Sequence, residues 1–129
     1  MKADGNETPL HGAVLVGYQP VVEVLLNMFA EPNAQNNEGK TALHFACMRG
    51  NFSITRLLAS RPDVALNVQD SKGNSPFMIA CNLLQEQILL FFLALERPIS
   101  YSIRNSEGKT ALEILERKAT QAGQAPKFA

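Results

Sequence analysis

"GKTALHFACMRG", residues 39–50, brings Gly39, Thr41, His44 and Cys47 together in one short stretch. Such residue types suit either a reactive cluster or the punctuation of a structural unit, and recurrence decides between them. The stretch recurs. "NETPLHGAVLVG" (6–17), "GNSPFMIACNLL" (73–84) and "GKTALEILERKA" (108–119) align with it, and the hydroxyl residues Thr8, Thr41, Ser75 and Thr110 lie 33, 34 and 35 apart. A second block follows at matching offset, as "YQPVVEVLLNM" (18–28), "NFSITRLLAS" (51–60) and "QEQILLFFLAL" (85–95).

Each part of the unit has a local cause. Gly39, Gly73 and Gly108 stand two residues before the hydroxyl, where a turn with left-handed backbone favours a residue without Cβ. Asn6 fills that place in the first unit. Thr or Ser then accepts a bond from the free amides of a helix start, and Pro9 or Pro76 suits the first helical position. Thr110 with Glu113 forms a capping-box pattern. Leu10/Ala13, Leu43/Ala46, Phe77/Ala80 and Leu112/Leu115 recur three apart and predict the apolar face of a first helix. Gly17 and Gly50 end that helix, and the predicted second helix carries Val21, Val24 and Leu25, then Ile54, Leu57 and Leu58, then Ile88, Phe91 and Phe92. A single pair of this size cannot bury its apolar faces, so neighbours must stack to complete the core.

The unit resembles the ankyrin repeat, whose signature is T-P-L-H-x-A at a period of about 33. "TPLHGA" (Thr8–Ala13) and "TALHFA" (Thr41–Ala46) carry the resemblance most clearly. It implies an all-α solenoid of stacked helix–turn–helix units joined by β-turn or hairpin-like loops. Units are expected at about 3–35, 36–69, 70–104 and 105–119, the last incomplete, in a single domain over 1–119, with a polar tail over 120–129 that frays. The resemblance also implies that His11 and His44 hydrogen-bond between neighbouring units and turns. Two departures stand out: Met78 replaces the histidine in the third unit, and Leu84 replaces its helix-ending glycine, so a longer or differently shaped turn is expected there. Pro62 and Pro98 mark small insertions between units.

Composition limits the function classes. The chain has 129 residues with 46% hydrophobic, enough for a core, and twelve Lys+Arg balance twelve Asp+Glu. No global field draws in nucleic acid or anionic membrane. The basic residues form no stripe with interleaved aromatics. The longest apolar run, Ile88–Leu95, is far short of the ~20 residues of a spanning helix and reads as a buried helix with part of its girth at the surface. The N-terminal "MKADGNETPLHG" has neither signal nor transit character. With two cysteines, the expectation is an intracellular protein, cytoplasmic or nuclear, with Cys47 and Cys81 as buried free thiols.

No reaction centre emerges. His44 and Cys47 could supply half of a zinc site, but no second half matches them, since Val14 stands at that offset from His11. "GNETPLHG" lacks a Walker lysine and a dinucleotide fingerprint. The expectation is therefore no enzyme, no cofactor and no metal. Function then falls to the surface made by stacking. The family resemblance implies a concave strip of turn tips and first-helix faces that binds another protein, with Leu15, Lys40, Met48, Arg49, Asn74, Asn82, Leu83 and Lys109 as candidate partner-binding residues. The chain would act as a monomer or as a subunit of a hetero-complex, without nucleic acid or membrane insertion. The alternative is a structural segment of a larger ankyrin array or assembly, because the first unit offers few charges for an end facing water. In the last helix Glu113 and Arg117, four apart, are placed to pair.

Overall fold

The computed structural model describes residues 7–28 and 31–121. Asn6 and the stretch 122–129 of the expected tail lie outside the described residues. Among those described there are seven helices and no strand: α1 Pro9–Val16, α2 Gln19–Asn27, α3 Ala42–Arg49, α4 Phe52–Ala59, α5 Pro76–Asn82, α6 Glu86–Ala94 and α7 Ala111–Gln121. Helix α7 thus continues through Thr120 and Gln121, past the expected end of the last unit.

The starts of α1, α3, α5 and α7 follow from their caps, whereas α2 and α6 begin without a side-chain cap. The Thr8 and Thr41 hydroxyls accept from the amides of His11 and His44, while the imidazole Nδ1 of each histidine accepts from the threonine amide in return. The histidine thus takes the place of the glutamate in an ordinary capping box. Ser75 caps α5 through Met78 N–H, but Met78 cannot reciprocate. Thr110 and Glu113 form the expected reciprocal pair at α7.

The helices pack in sequential order in two rows. The inner row is α1, α3, α5 and α7, and the outer row is α2, α4 and α6, each outer helix antiparallel to the inner helix before it. One continuous core runs between the rows through Leu10, Val14, Leu43, Leu58, Phe77, Ile88 and Phe92. Full burial of each such side chain contributes about 1.5–3 kcal/mol relative to leaving it exposed. Ring contacts lock the neighbours: Phe52 of α4 meets Phe91 of α6 edge-on at 5.8 Å, and Phe77 meets Phe92 at 5.7 Å.

Stacking also explains where the apolar pattern fails to predict burial. Ile54 is fully buried, but Val21, one period earlier, is 37% exposed, because no described unit precedes α2 to cover it. In α2 the buried residues are instead Val22 and Leu26. Leu112 is 62% exposed, whereas its counterparts Leu10, Leu43 and Phe77 are buried. In α6 only Ile88 and Phe92 are buried, while Leu90 and Leu93 face outward as the crowded apolar run implied.

The turn after α5 corrects the expectation of an altered shape. Tyr18 N–H bonds to the Ala13 carbonyl, Asn51 N–H to Ala46, and Gln85 N–H to Ala80, the same closure three times. Leu84 makes the third one by adopting the left-handed backbone (φ +52°) that Gly17 and Gly50 supply elsewhere.

The long loops form a second ladder. Asn36, Asp70 and Asn105 each open a tight turn, the side-chain oxygen accepting the amides two and four residues on. Adjacent turns are joined by Ser71 N–H to the Glu38 carbonyl at 2.8 Å and Ser106 N–H to the Lys72 carbonyl at 2.9 Å. Farther along the loops Asn33 clasps the next unit, donating to the Asp63 carbonyl and accepting from Ala65 N–H, and Asn67 does the same with Pro98 and Ser100. Arg97 donates to the carbonyls of Ala59, Arg61, Pro62 and Val64, tying the loop after α6 to the loop after α4.

Candidate protein-binding surface

The histidines are structural. Because Thr41 N–H points at Nδ1 of His44, the ring proton sits on Nε2 and is donated to the Asn74 carbonyl in the next turn at 2.9 Å. His11 reaches the Lys40 carbonyl at 3.1 Å and that of Ala34 at 3.0 Å in the same way. Burial pushes the His44 pKa below its ordinary value of 6.5, against the opposing pull of the Asn74 carbonyl. Cys47 and Cys81 are free and buried, and burial pushes the Cys81 thiol up to about 12. Neither offers a thiolate nucleophile near neutral pH. Among the described residues no group of His, Cys, Asp and Glu is arranged to hold a metal, and no helix is long and apolar enough to cross a membrane.

The candidate residues separate into two groups. Asn74, Asn82 and Lys109 line one depression of about 300 Å³, formed by the third and fourth turn tips with the inner helices α5 and α7. Met48 and Leu83 are exposed, 38% and 47%, and Arg49 is exposed beside Met48. Leu15 is half-buried against the core. The Lys40 side chain is only 12% exposed, with its ammonium 3.2 Å from Asp70 Oδ2 and 3.8 Å from Glu38, so it serves the turn ladder. The expected Glu113–Arg117 pair is absent. Glu113 meets Arg104 at 3.3 Å instead, and the Thr110 amide holds its carboxyl below the ordinary range.

The sequence reading puts Lys72 and Glu107 at turn tips and Arg117 and Lys118 at exposed helix positions without marking them as partner contacts; they line the same depression, Glu107 as its one acid, together with buried Ile114. It also missed the Asn33 and Asn67 clasps, although an asparagine recurring one period later was a readable signal.

A stack of helical hairpins with turn tips and inner helices sharing a depression defines a repeat scaffold. Residues 10–105 match the family model for ankyrin repeats in three copies, and the chain belongs to the ankyrin repeat family. It is 42% identical over 79 residues to human Rabankyrin-5, a match covering 61% of this chain and 7% of that protein. It is 31% identical over 119 residues to the E3 ubiquitin-protein ligase KEG of Arabidopsis thaliana, covering 88% of this chain and 7% of that one. Human ankyrin repeat domain-containing protein 63 is 32% identical over 122 residues, covering 88% and 31% respectively. The chain therefore spans less than a third of each of these relatives. Ankyrin repeats are in general protein–protein interaction modules without chemistry of their own.

Proposed function

We propose that this chain is a non-enzymatic recognition module that holds a partner protein against its turn tips and inner-helix faces. The observation supporting this is the depression where the third and fourth turn tips meet α5 and α7. Met48 on α3 and Leu83 at the C-cap of α5 add exposed apolar contacts on the inner row, which suits an interface anchored by a few residues. The module works inside the cell, where reduced thiols persist, as a monomer or as a subunit of a hetero-complex. The test is site-specific photo-crosslinking in cells. A crosslinker at Met48 or Leu83 should trap a partner that one at Leu90 on the outer row does not, and trapping from Leu90 alone would overturn the reading.

A second reading, a segment of a larger array or assembly, has its own support. Val21, Val24 and Met28 of the first unit are exposed apolar residues, and the counterpart of Val21 in the next unit is buried. Sedimentation at increasing concentration tests it: association abolished by Val24→Lys supports the packing surface, and a monomer throughout argues against it.

A further inference from the structure

We infer that the depression between the third and fourth turn tips is a subsite for an acidic, extended segment of the partner protein. This rests on the reading that the turn tips and inner helices form the recognition face, and it names the chemistry of what binds there.

Two equivalent boundaries between units carry different side-chain pairs. Between the second and third units, Lys40 pairs with Asp70 at 3.2 Å. One period later the same two positions hold Asn74 and Asn105, joined by a neutral amide bond, Asn105 Nδ2 to Asn74 Oδ1, at 3.0 Å. The later boundary therefore holds neither a turn-ladder carboxylate nor the lysine it would pair with. Around this boundary Lys72, Lys109, Arg117 and Lys118 surround the depression, with Glu107 as its one acid. Among the described residues none of these four cations forms an ion pair within 4 Å; Lys40, Arg61 and Arg104 do, and Arg49, Arg56 and Arg97, which lie elsewhere, do not. Four cations against one carboxylate in a concave site raise the local potential and favour an anionic ligand.

The shape and lining favour peptide carboxylates over nucleic acid. A volume of about 300 Å³ equals that of roughly ten liquid waters, room for side-chain carboxylates with little to spare. No aromatic side chain lines it, so bases would find no stacking platform. The Asn82 amide on α5 adds a donor and an acceptor of the kind that pairs with an extended backbone.

The probe is a fluorescein-labelled glutamate-rich peptide, titrated into the intact chain and followed by anisotropy and amide NMR spectra, with a glycine–serine peptide, a single-stranded oligonucleotide and inorganic triphosphate as comparisons. The expected result is saturable binding of the acidic peptide, with shifts confined to Asn74, Asn82, Lys109 and Arg117. Lys109→Glu combined with Lys118→Glu should weaken it about tenfold or more while leaving the melting temperature unchanged, and Arg117→Glu alone should weaken it measurably. Arg56→Glu on the outer row should leave it unaffected. Unaltered binding by the folded charge-reversal variants overturns the inference, as does an oligonucleotide or triphosphate that binds as tightly as the peptide. A partner trapped at Met48 or Leu83 that ignores these charge reversals also overturns it, while leaving the broader recognition reading intact.

Discussion

His44 Nε2 donates to the Asn74 carbonyl across a unit boundary, 2.9 Å away, while Nδ1 of the same ring accepts from the Thr41 amide at 3.0 Å. One side chain thus caps its own helix and fastens the next turn. Only the neutral ring does both, since a proton on Nδ1 would confront the Thr41 N–H.

The pH dependence follows. Burial lowers the folded-state pKa of His44 from 6.5, so above that pH the ring is neutral in both states and its contribution to stability is complete. As pH falls below 6.5 the unfolded chain takes up a proton that the folded ring resists, and stability declines. Urea unfolding at a series of pH values from 8 to 5 should show this decline, and His44→Gln should flatten its slope. An equal slope in both proteins would refute the assignment.

Arg97 offers a sharper mutational test. Its guanidinium donates to four backbone carbonyls from Ala59 to Val64, which lose their partner in Arg97→Ala. The expected cost is about 2–4 kcal/mol, since bonds to charged donors are worth more than neutral ones. Arg97→Lys should recover less than half of it, because an ammonium cannot reproduce the planar fork. Chemical denaturation of the three proteins measures both.

Gly73 and Gly108 share one backbone conformation, φ +78° and +76°, but differ in surroundings. A Cβ on Gly73 would sit 2.8 Å from Asn105 Cα, whereas one on Gly108 meets nothing within 4 Å. Gly108→Ala should therefore cost only the left-handed strain, about 1–2 kcal/mol. Gly73→Ala should cost about 1–3 kcal/mol more through forced separation of the turns. Comparable melting temperatures would show that the turn ladder yields easily.

Leu84→Gly should stabilise the protein. The substitution removes left-handed strain of about 1–2 kcal/mol, partly offset by the greater freedom glycine has in the unfolded chain. Leu84 is exposed, so little packing is lost. A rise of a few degrees in melting temperature is expected, and a fall would mean the side chain holds something the geometry does not reveal.

The features legible in the sequence are those set by neighbours along the chain. Caps at Thr8, Thr41 and Ser75, helix ends at Gly17 and Gly50, and the period itself all depend on local backbone chemistry. Exposure of Val21 and Leu112 was not legible, because it depends on whether a further unit lies alongside, a fact the unit's own pattern does not carry. The gathering of the basic residues at one depression was not legible for a related reason: Lys72 and Lys118 are far apart in the chain, and only stacking brings a turn tip beside the next inner helix. The Glu113–Arg117 pairing failed because Arg104 and the Thr110 amide compete for the same carboxylate at closer quarters.

The bonds from Ser71 to Glu38 and from Ser106 to Lys72 run in one sense, each turn lending an amide to the turn before it. Glu107 holds the corresponding carbonyl in the last turn, and no described backbone amide meets it. Among the described residues the turn ladder therefore has a direction, amides toward the earlier turn and carbonyls toward the later. A further turn stacked on Glu107 would have to follow by translation, whereas a two-fold pairing of identical edges would set carbonyl against carbonyl.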